Sequence, residues 1–297
     1  MSAQTHTELT VWIGGAAGDG IASAGESFAK ACSRSGYHVF AHNSYQSVIR
    51  GGHVCMHIRI VTHKVFTQGD ELDYLVALNQ DTFTRYAKRV MEGGAIFYNT
   101  DKFTPPPTLS AEGGPFGPPG RNVGGGVKAT AEGLKRGVQL IGLPVMEIIG
   151  NQQMQNTALM GALMQVLGLE PAAIRGLIKE RFLKKGEAVI TTNLEAFDKS
   201  MGFAKSHFTP GGIRIGSGDG KRRPLAGGNP MIGFGALAAG CRFYSAYPMT
   251  PASSLLHWLV KYAAKTGLLV KQCEDEIASL NMAIGAGHVG VRAMTGT

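Results

Sequence analysis

The sequence predicts an α/β fold built from two successive domains. Short apolar runs alternate with segments of helical spacing along most of the chain, and glycine or proline separates many of them. Strands that alternate with helices in this way form parallel sheets through right-handed crossovers. A chain of 297 residues with 44% hydrophobic and 17% charged side chains can fill about two cores. We predict a first domain over residues 1–204, a linker over 205–228 and a second domain over 229–297.

The first domain opens with a predicted strand from Leu9 to Ile13, a glycine-rich turn from Gly14 to Gly20 and a helix over 21–35. Such a turn suits a phosphate, because glycines let a ligand approach the backbone and the helix N-terminus favours an anion. A dinucleotide fold also needs an acidic residue about twenty positions later to hold the ribose. No Asp or Glu lies between Glu26 and Asp70, so NAD is not predicted.

The remaining elements of the first domain follow the same alternation. Strands are predicted at 54–61, 73–78, 94–98 and 138–145, and helices at 80–90, around 156, from 171 and at 193–203. Residues 104–126 interrupt the pattern with six prolines and seven glycines in 23 positions. Because such a stretch cannot bury a core, it is predicted to be a mobile surface insertion. Residues 205–228 are rich in Gly, Ser and basic side chains, which predicts the linker, and their Lys221-Arg222-Arg223 run is typical of a solvated charged surface.

The second domain is predicted to contain three strands joined by helices, with the strands at 242–247, 268–272 and 291–294. Asn229 is a favourable N-cap for a first helix over 231–239. Thr250 is a favourable N-cap for a second helix that has Pro251 in its first turn. A third helix is predicted from Ile277 to a break at Gly285 and Gly287.

A polar segment follows each strand of the second domain. These segments are Tyr247 to Thr250, Glu274, and Thr295 to Thr297. Because loops at the carboxyl ends of parallel strands converge on one crevice, we expect the three segments to lie together at one edge of the sheet. This edge is the predicted functional site.

Charge and cysteine content limit the classes of partner. The formal net charge is +8, but the basic residues are spread out and no nucleic-acid-binding module is present, so nucleic acid is not a predicted partner. The four cysteines are widely separated and include no Cys-x-x-Cys, so no disulfide framework, metal site or iron–sulfur site is predicted on this chain. No apolar run approaches about 18 residues, and the N-terminal Met-Ser-Ala-Gln-Thr-His is too polar for a signal peptide, so we expect a cytoplasmic protein without a membrane partner.

Two motifs of the second domain carry a resemblance to a known family. Tyr247-Pro-Met-Thr-Pro251 and Glu274-Asp-Glu-Ile-Ala278 occur at the mutual spacing found in the pyrimidine-binding domain of 2-oxoacid:ferredoxin oxidoreductases. The chain resembles more narrowly the α subunit of the 2-oxoglutarate synthase type, which has a γ domain fused ahead of that domain. The segment Asn43-Ser-Tyr-Gln-Ser-Val-Ile-Arg-Gly-Gly-His53 is similar to the Arg-Gly-Gly region of the γ domain. Pro230 is a departure, since the family usually has an acidic residue there.

The resemblance assigns roles to individual residues. It implies that Glu274 is the catalytic carboxylate that bonds the pyrimidine nitrogen N1′ of thiamine diphosphate, and that Tyr247 and Pro248 help to bind this cofactor. Thr250 is implied as a catalytic contact from the same loop, and Arg50 as a holder of anionic groups of cofactor or coenzyme. Each role has an alternative, because Glu274 could be part of an acidic first helical turn and Thr250 could cap a helix. Arg50 could instead bond carbonyl groups around the Gly51-Gly52 turn.

Two acidic features receive a different interpretation. For Glu276 we prefer the helical-turn reading over a role in cofactor binding. Gly18-Asp19-Gly20 with Asn43 imitates a magnesium-diphosphate motif, but its place before a helix and the lack of a second asparagine argue against it. No metal ligand is predicted on this chain.

The activity implied by the resemblance is the reversible, coenzyme A-dependent oxidative decarboxylation of 2-oxoglutarate to succinyl-CoA and CO₂, with electrons passing to ferredoxin. Run in reverse, this reaction fixes CO₂. A β subunit would share the thiamine diphosphate and carry Mg²⁺ and a [4Fe–4S] cluster, in an (αβ)₂ assembly. The alternatives are the same chemistry on pyruvate or branched-chain 2-oxoacids, and a non-catalytic assembly subunit.

The sequence also predicts an unfinished second domain. It stops at Met294-Thr295-Gly296-Thr297, at a strand end where the family continues. A sheet of three strands with an open edge is not a complete core, so we expect a piece of a longer chain.

Overall fold

The computed structural model describes residues 4–44, 52–106, 133–208 and 213–297. The chain divides into two compact units, Met1–Leu225 and Ala226–Thr297. Arg50 and nearly all of the predicted insertion at 104–126 lie outside the described residues. None of the described helices is long and apolar enough to cross a lipid bilayer.

The first unit contains a six-stranded mixed sheet. Its strands in chain order are β2 (Glu8–Ala16), β3 (His38–Ser44), β4 (His53–Val61), β5 (Leu72–Ala77), β6 (Val90–Asn99) and β7 (Gln139–Leu143), after a short β1 (Gln4–His6). The spatial order is β3-β4-β2-β5-β6-β7. Strands β2, β5, β6 and β7 run parallel, whereas β4 is antiparallel to both β2 and β3. Strand β1 pairs separately with β8 (Ile213–Ile215).

Helices cover both faces of this sheet. They are α1 (Ile21–Arg34), α2 (Gln80–Tyr86), α3 (Val145–Ile149), α4 (Gln155–Leu167), α5 (Ala172–Phe182) and α6 (Glu187–His207). Buried residues spaced along α1, including Ala24, Phe28 and Cys32, form part of the larger core. A smaller core around Trp12 and Phe83 lies on the opposite face. Strand β5 is buried along its whole length, as expected for an interior parallel strand covered on both sides.

The segment predicted as a linker is mostly bound to the first unit. Helix α6 continues to His207, and residues 213–215 form β8. Further on, the Asp219 backbone N–H donates to the Gly36 carbonyl at 3.1 Å, and that of Arg223 donates to the Ser33 carbonyl at 3.3 Å. Of the predicted charged run, Lys221 and Arg222 are exposed, whereas the Arg223 guanidinium binds the Asp219 carboxylate. Long-range backbone pairing therefore orders a segment whose composition is typical of a linker.

The second unit contains a three-stranded parallel sheet, which confirms the predicted α/β class. Its elements are α7 (Gly228–Ala238), β9 (Phe243–Ala246), α8 (Ser253–Thr266), β10 (Leu269–Gln272), α9 (Glu276–His288) and β11 (Ala293–Thr295). The strand order is β10-β9-β11, so β9 is central. The core is formed mainly by Tyr244 of β9 with Leu255, Leu256 and Leu259 of α8.

Three helix-end predictions in the second unit are wrong. The residue at the N-cap of α8 is Ala252, with no side-chain bond, so the Thr250 hydroxyl does not cap this helix. Asn229 lies inside α7, whose N-cap is Gly227, and its side chain instead bonds a neighbouring loop. Helix α9 passes through the glycines at 285 and 287 and ends at His288, because a helical glycine is a modest cost that packing can offset.

Candidate functional site

The carboxyl ends of β9, β10 and β11 bring the three predicted polar segments to one edge of the sheet. The backbone N–H of Cys273, after β10, donates to the Ala246 carbonyl at 2.9 Å. The Thr297 hydroxyl, after β11, donates to the Tyr247 carbonyl at 3.0 Å. Residues far apart in the sequence are thus joined at the end of β9, and the predicted juxtaposition of the three segments is confirmed.

Glu274 lies in the turn between β10 and α9. Asp275 is the N-cap of α9, and its carboxylate accepts a hydrogen bond of 2.7 Å from the Ala278 backbone N–H. Glu276 is the acidic residue of the first turn, as predicted. Glu274 precedes the cap, so its carboxylate belongs neither to the cap nor to the first turn. It is exposed, and no hydrogen bond or ion pair joins its side chain to another of the residues that the structure describes.

The loop from Tyr247 to Pro251 forms the second wall of this edge. Tyr247 and Pro248 are half-buried, whereas Thr250 is exposed, and the Thr250–Pro251 peptide bond is cis. The Asn229 amide donates to the Pro251 carbonyl at 2.9 Å and to the Ser254 hydroxyl at 2.6 Å. The Asn229 side chain therefore holds the end of this loop. The sequence did not indicate this role, because asparagine is also a favourable helix N-cap.

Two buried hydroxyls under this edge were also not predicted. Ser245 of β9 and Ser279 of α9 are both fully buried, and the Ser245 hydroxyl donates to the Ser279 carbonyl at 2.7 Å. A serine inside a strand or a helix has no positional signature, and only the packing of α9 on β9 makes the pair visible.

The glycine-rich turn of the first unit is partly closed by its own side chains. The Ala16 backbone N–H donates to the Asp19 carboxylate at 2.8 Å, and the Asn156 amide donates to the Asp19 carbonyl at 2.7 Å. The Ala16 N–H is therefore not available to donate to a phosphate at this turn. The predicted phosphate cradle is therefore less open than its glycine content suggests.

The first unit also holds titratable groups in unusual surroundings. His57 stacks on Trp12 with ring centroids 3.7 Å apart, and burial, with smaller contributions from His42 and Arg89, lowers the pKa of His57 to about 4. Burial raises the pKa of the Asp73 carboxyl to about 6, although the Thr10 backbone N–H donates to it at 2.7 Å. Within the described ranges, no group of three or more His, Cys, Asp and Glu residues is arranged to hold a metal ion.

Comparison with known families places both units. The family described as pyruvate ferredoxin/flavodoxin oxidoreductase matches residues 10–203. The thiamine diphosphate-binding part described for pyruvate flavodoxin/ferredoxin oxidoreductase matches residues 234–297.

Similar proteins extend over nearly the whole chain. Subunit alpha of 2-oxoacid:ferredoxin oxidoreductase 2 from Aeropyrum pernix is 26% identical over 98% of this chain and 51% of its own length. The 2-oxoglutarate oxidoreductase subunit KorA from Mycobacterium tuberculosis is 26% identical over 99% of this chain and 47% of its own length. The structure of 2-oxoglutarate:ferredoxin oxidoreductase from Magnetococcus marinus, with 2-oxoglutarate, coenzyme A and succinyl-CoA bound, gives a TM-score of 0.78 at 28% identity, over 98% of this chain and 47% of that one. The chain thus spans about half the length of these relatives.

Proposed function

This chain belongs to the pyruvate ferredoxin/flavodoxin oxidoreductase family, and from that membership we propose that its second unit holds the pyrimidine ring of thiamine diphosphate in a 2-oxoacid:ferredoxin oxidoreductase. The observation that carries the proposal is the Glu274 carboxylate, which lies at the carboxyl edge of the parallel sheet without a partner among the described residues. A carboxylate in the first turn of a helix or at its N-cap would have a structural explanation. Glu274 occupies neither position.

The chemistry of the edge fits the pyrimidine ring. When bound, thiamine diphosphate supplies a C2 carbanion for attack on the keto carbon of a 2-oxoacid. Glu274 would share a proton with the ring nitrogen N1′, which lets the aminopyrimidine act as a base. Tyr247 and Pro248 would contact the ring from the loop after β9, and the exposed Thr250 hydroxyl would contact cofactor or substrate.

The substrate we propose is 2-oxoglutarate, with coenzyme A as acyl acceptor and ferredoxin as electron acceptor. Support comes from the names of relatives that match nearly all of this chain, one of which was solved with 2-oxoglutarate, coenzyme A and succinyl-CoA. Pyruvate and branched-chain 2-oxoacids are the alternatives within the same chemistry. Arg50, in the first unit, would hold anionic groups of the coenzyme.

A partner is required for this function. We propose a β subunit that supplies the diphosphate site, Mg²⁺ and a [4Fe–4S] cluster, in an (αβ)₂ assembly. In the described part of the chain, no metal-binding group is found and all four cysteines are buried and free. Relatives that are described as alpha subunits also support a complex of several subunits.

The test compares two neighbouring carboxylates in the natural complex. Glu274→Gln should lower 2-oxoacid-dependent reduction of ferredoxin or a viologen dye by about 10²- to 10⁴-fold, because it removes the proton-sharing group. Glu276→Gln, an exposed change two residues away in the first turn of α9, serves as the matched control and should stay close to the wild type. Offering 2-oxoglutarate, pyruvate and branched-chain acids in turn identifies the substrate.

Two results would contradict the proposal. Equal losses of activity in the two variants would mean that both carboxylates only stabilise the N-terminus of α9. A complex that keeps its clusters but neither binds thiamine diphosphate nor oxidises any of the acids would leave the assembly-subunit alternative.

A further inference from the structure

We infer that Ser245 and Ser279 are positioning residues that fix the Glu274 turn against the central strand. The inference rests on the proposed function for the role of Glu274, but its structural content does not. It assigns a purpose to two buried hydroxyls that neither the fold nor the contacts with cofactor would require.

The two serines form a short relay from the sheet to the start of α9. The Ser245 hydroxyl donates to the Ser279 carbonyl at 2.7 Å, and the Ser279 hydroxyl donates to the Asp275 carbonyl at 2.9 Å. Both side chains are fully buried. Strand β9 is thereby linked through two hydrogen bonds to Asp275, the residue next to Glu274.

Packing alone does not call for hydroxyls here. Side chains alternate along a strand, so Tyr244 and Ala246 enter the core with α8 while Ser245 faces the opposite side, where α9 lies. A buried hydroxyl costs free energy unless it is bonded, and alanine would occupy nearly the same volume without that cost. Serine at both positions is therefore explained by the bonds and not by the space.

The relay holds the backbone on one side of Glu274, and a second bond holds it on the other. The Asp275 carbonyl accepts from the Ser279 hydroxyl at 2.9 Å in addition to the Ser279 backbone N–H at 3.2 Å, and Cys273 is held by its N–H bond to the Ala246 carbonyl. The Glu274 side chain itself is exposed. A catalytic carboxylate without side-chain partners has to be aimed by its backbone, and these bonds do so from β9.

The experiment uses the natural complex with Ser245→Ala and Ser279→Ala. The matched control is Ser200→Ala, since Ser200 is equally buried and donates to the Ala196 carbonyl four residues earlier, as Ser279 does to Asp275, but it lies in the first unit. The readouts are amide hydrogen exchange of a peptide covering 273–280 and the dissociation constant of thiamine diphosphate. We expect faster exchange in this peptide and about 3- to 10-fold weaker cofactor binding in both serine variants, with neither change in the control.

The outcomes separate this inference from the proposed function. Exchange in 273–280 that matches the control would overturn the positioning role whatever the cofactor does. Faster exchange with unchanged cofactor affinity would also overturn it, because the pair would then be only structural. If the wild-type complex does not bind thiamine diphosphate, the proposed function fails, and the exchange data alone decide whether the pair orders the turn.

Discussion

Asp73 should make the first unit less stable at neutral pH than at mildly acid pH. The side chain is buried at the start of β5, and burial is the main reason that the pKa of its carboxyl rises from 3.8 to about 6. The Thr10 N–H bond and His6 favour the ionised form, but they do not offset burial. Glu71 and Glu8 oppose ionisation further.

The direction and the size of this pH effect follow from the pKa of Asp73 in the folded state and in the unfolded chain. Because the folded state keeps the Asp73 proton to higher pH than the unfolded chain, the contribution of Asp73 to stability is highest below about pH 4, falls as pH rises to about 6, and then stays level. A pKa difference of about 2 corresponds to about 3 kcal/mol, since each tenfold change in affinity is about 1.4 kcal/mol. Asp73→Asn keeps an oxygen that can accept from Thr10 and cannot ionise.

Denaturation by urea at several pH values measures this effect. Trp12 is buried in the first unit and reports on it by fluorescence if Trp258 of the second unit is replaced by phenylalanine. The free energy of unfolding of Asp73→Asn minus that of the parent should rise by up to about 3 kcal/mol between pH 4 and pH 7. Asp70→Asn, an exposed change of the same charge nearby, should show no such rise. A difference for Asp73→Asn that does not change with pH would refute the reasoning.

Two further predictions concern the first unit. Burial lowers the pKa of His57 to about 4, so its contribution to stability is complete above pH 6.5 and is lost as pH falls towards 4. His57→Phe keeps a ring against Trp12 and should remove about 3 kcal/mol of this acid sensitivity in urea titrations. An unchanged acid sensitivity would contradict this prediction. Gly36 has φ +92°, and a Cβ there would lie 2.4 Å from the Gly220 nitrogen, so Gly36→Ala should destabilise by about 2 kcal/mol or more. Gly176→Ala, in the open interior of α5, should instead stabilise by about 0.5–1 kcal/mol. Equal thermal shifts for the two variants would contradict the close approach of Gly36 to Gly220.

The sequence was most informative where burial is strong. Strands β5 and β9 are buried along their whole length, and their apolar runs predicted them within a residue or two. Strand β3 was not predicted, because it lies at the edge of the sheet and all its side chains are only half-buried, which leaves no apolar alternation to detect.

Helix ends were less predictable, because several residues can serve as the N-cap of one helix. Connecting segments were less predictable, because distant contacts order them. Thr250, Ser253 and Ser254 are all favourable caps for α8, yet the residue at its N-cap is Ala252. The predicted linker is ordered by bonds to Ser33 and Gly36, more than 180 residues earlier, which no local pattern can reveal.

The candidate site also contains a part that the sequence predicts and a part that it does not. The polar ends of the three strands were predictable, because the topology of a parallel sheet brings them together. The residues that support them were not, since Ser245, Ser279 and Asn229 act through contacts between elements.

Helix α9 has an arrangement that bears on Glu274. Ser279 lies against β9 and is fully buried, whereas three large apolar side chains lie on the opposite side of the helix with exposures of 72%, 52% and 50%, namely Ile277, Leu280 and Ile284. A helix usually buries its large apolar residues and exposes its small polar ones. The reversed pattern and the size of the exposed residues are typical of a surface that another polypeptide covers. A cover over this face would also exclude water beside the N-terminus of α9. Glu274 directly precedes the N-cap of α9, so its carboxylate would lie beside this covered surface.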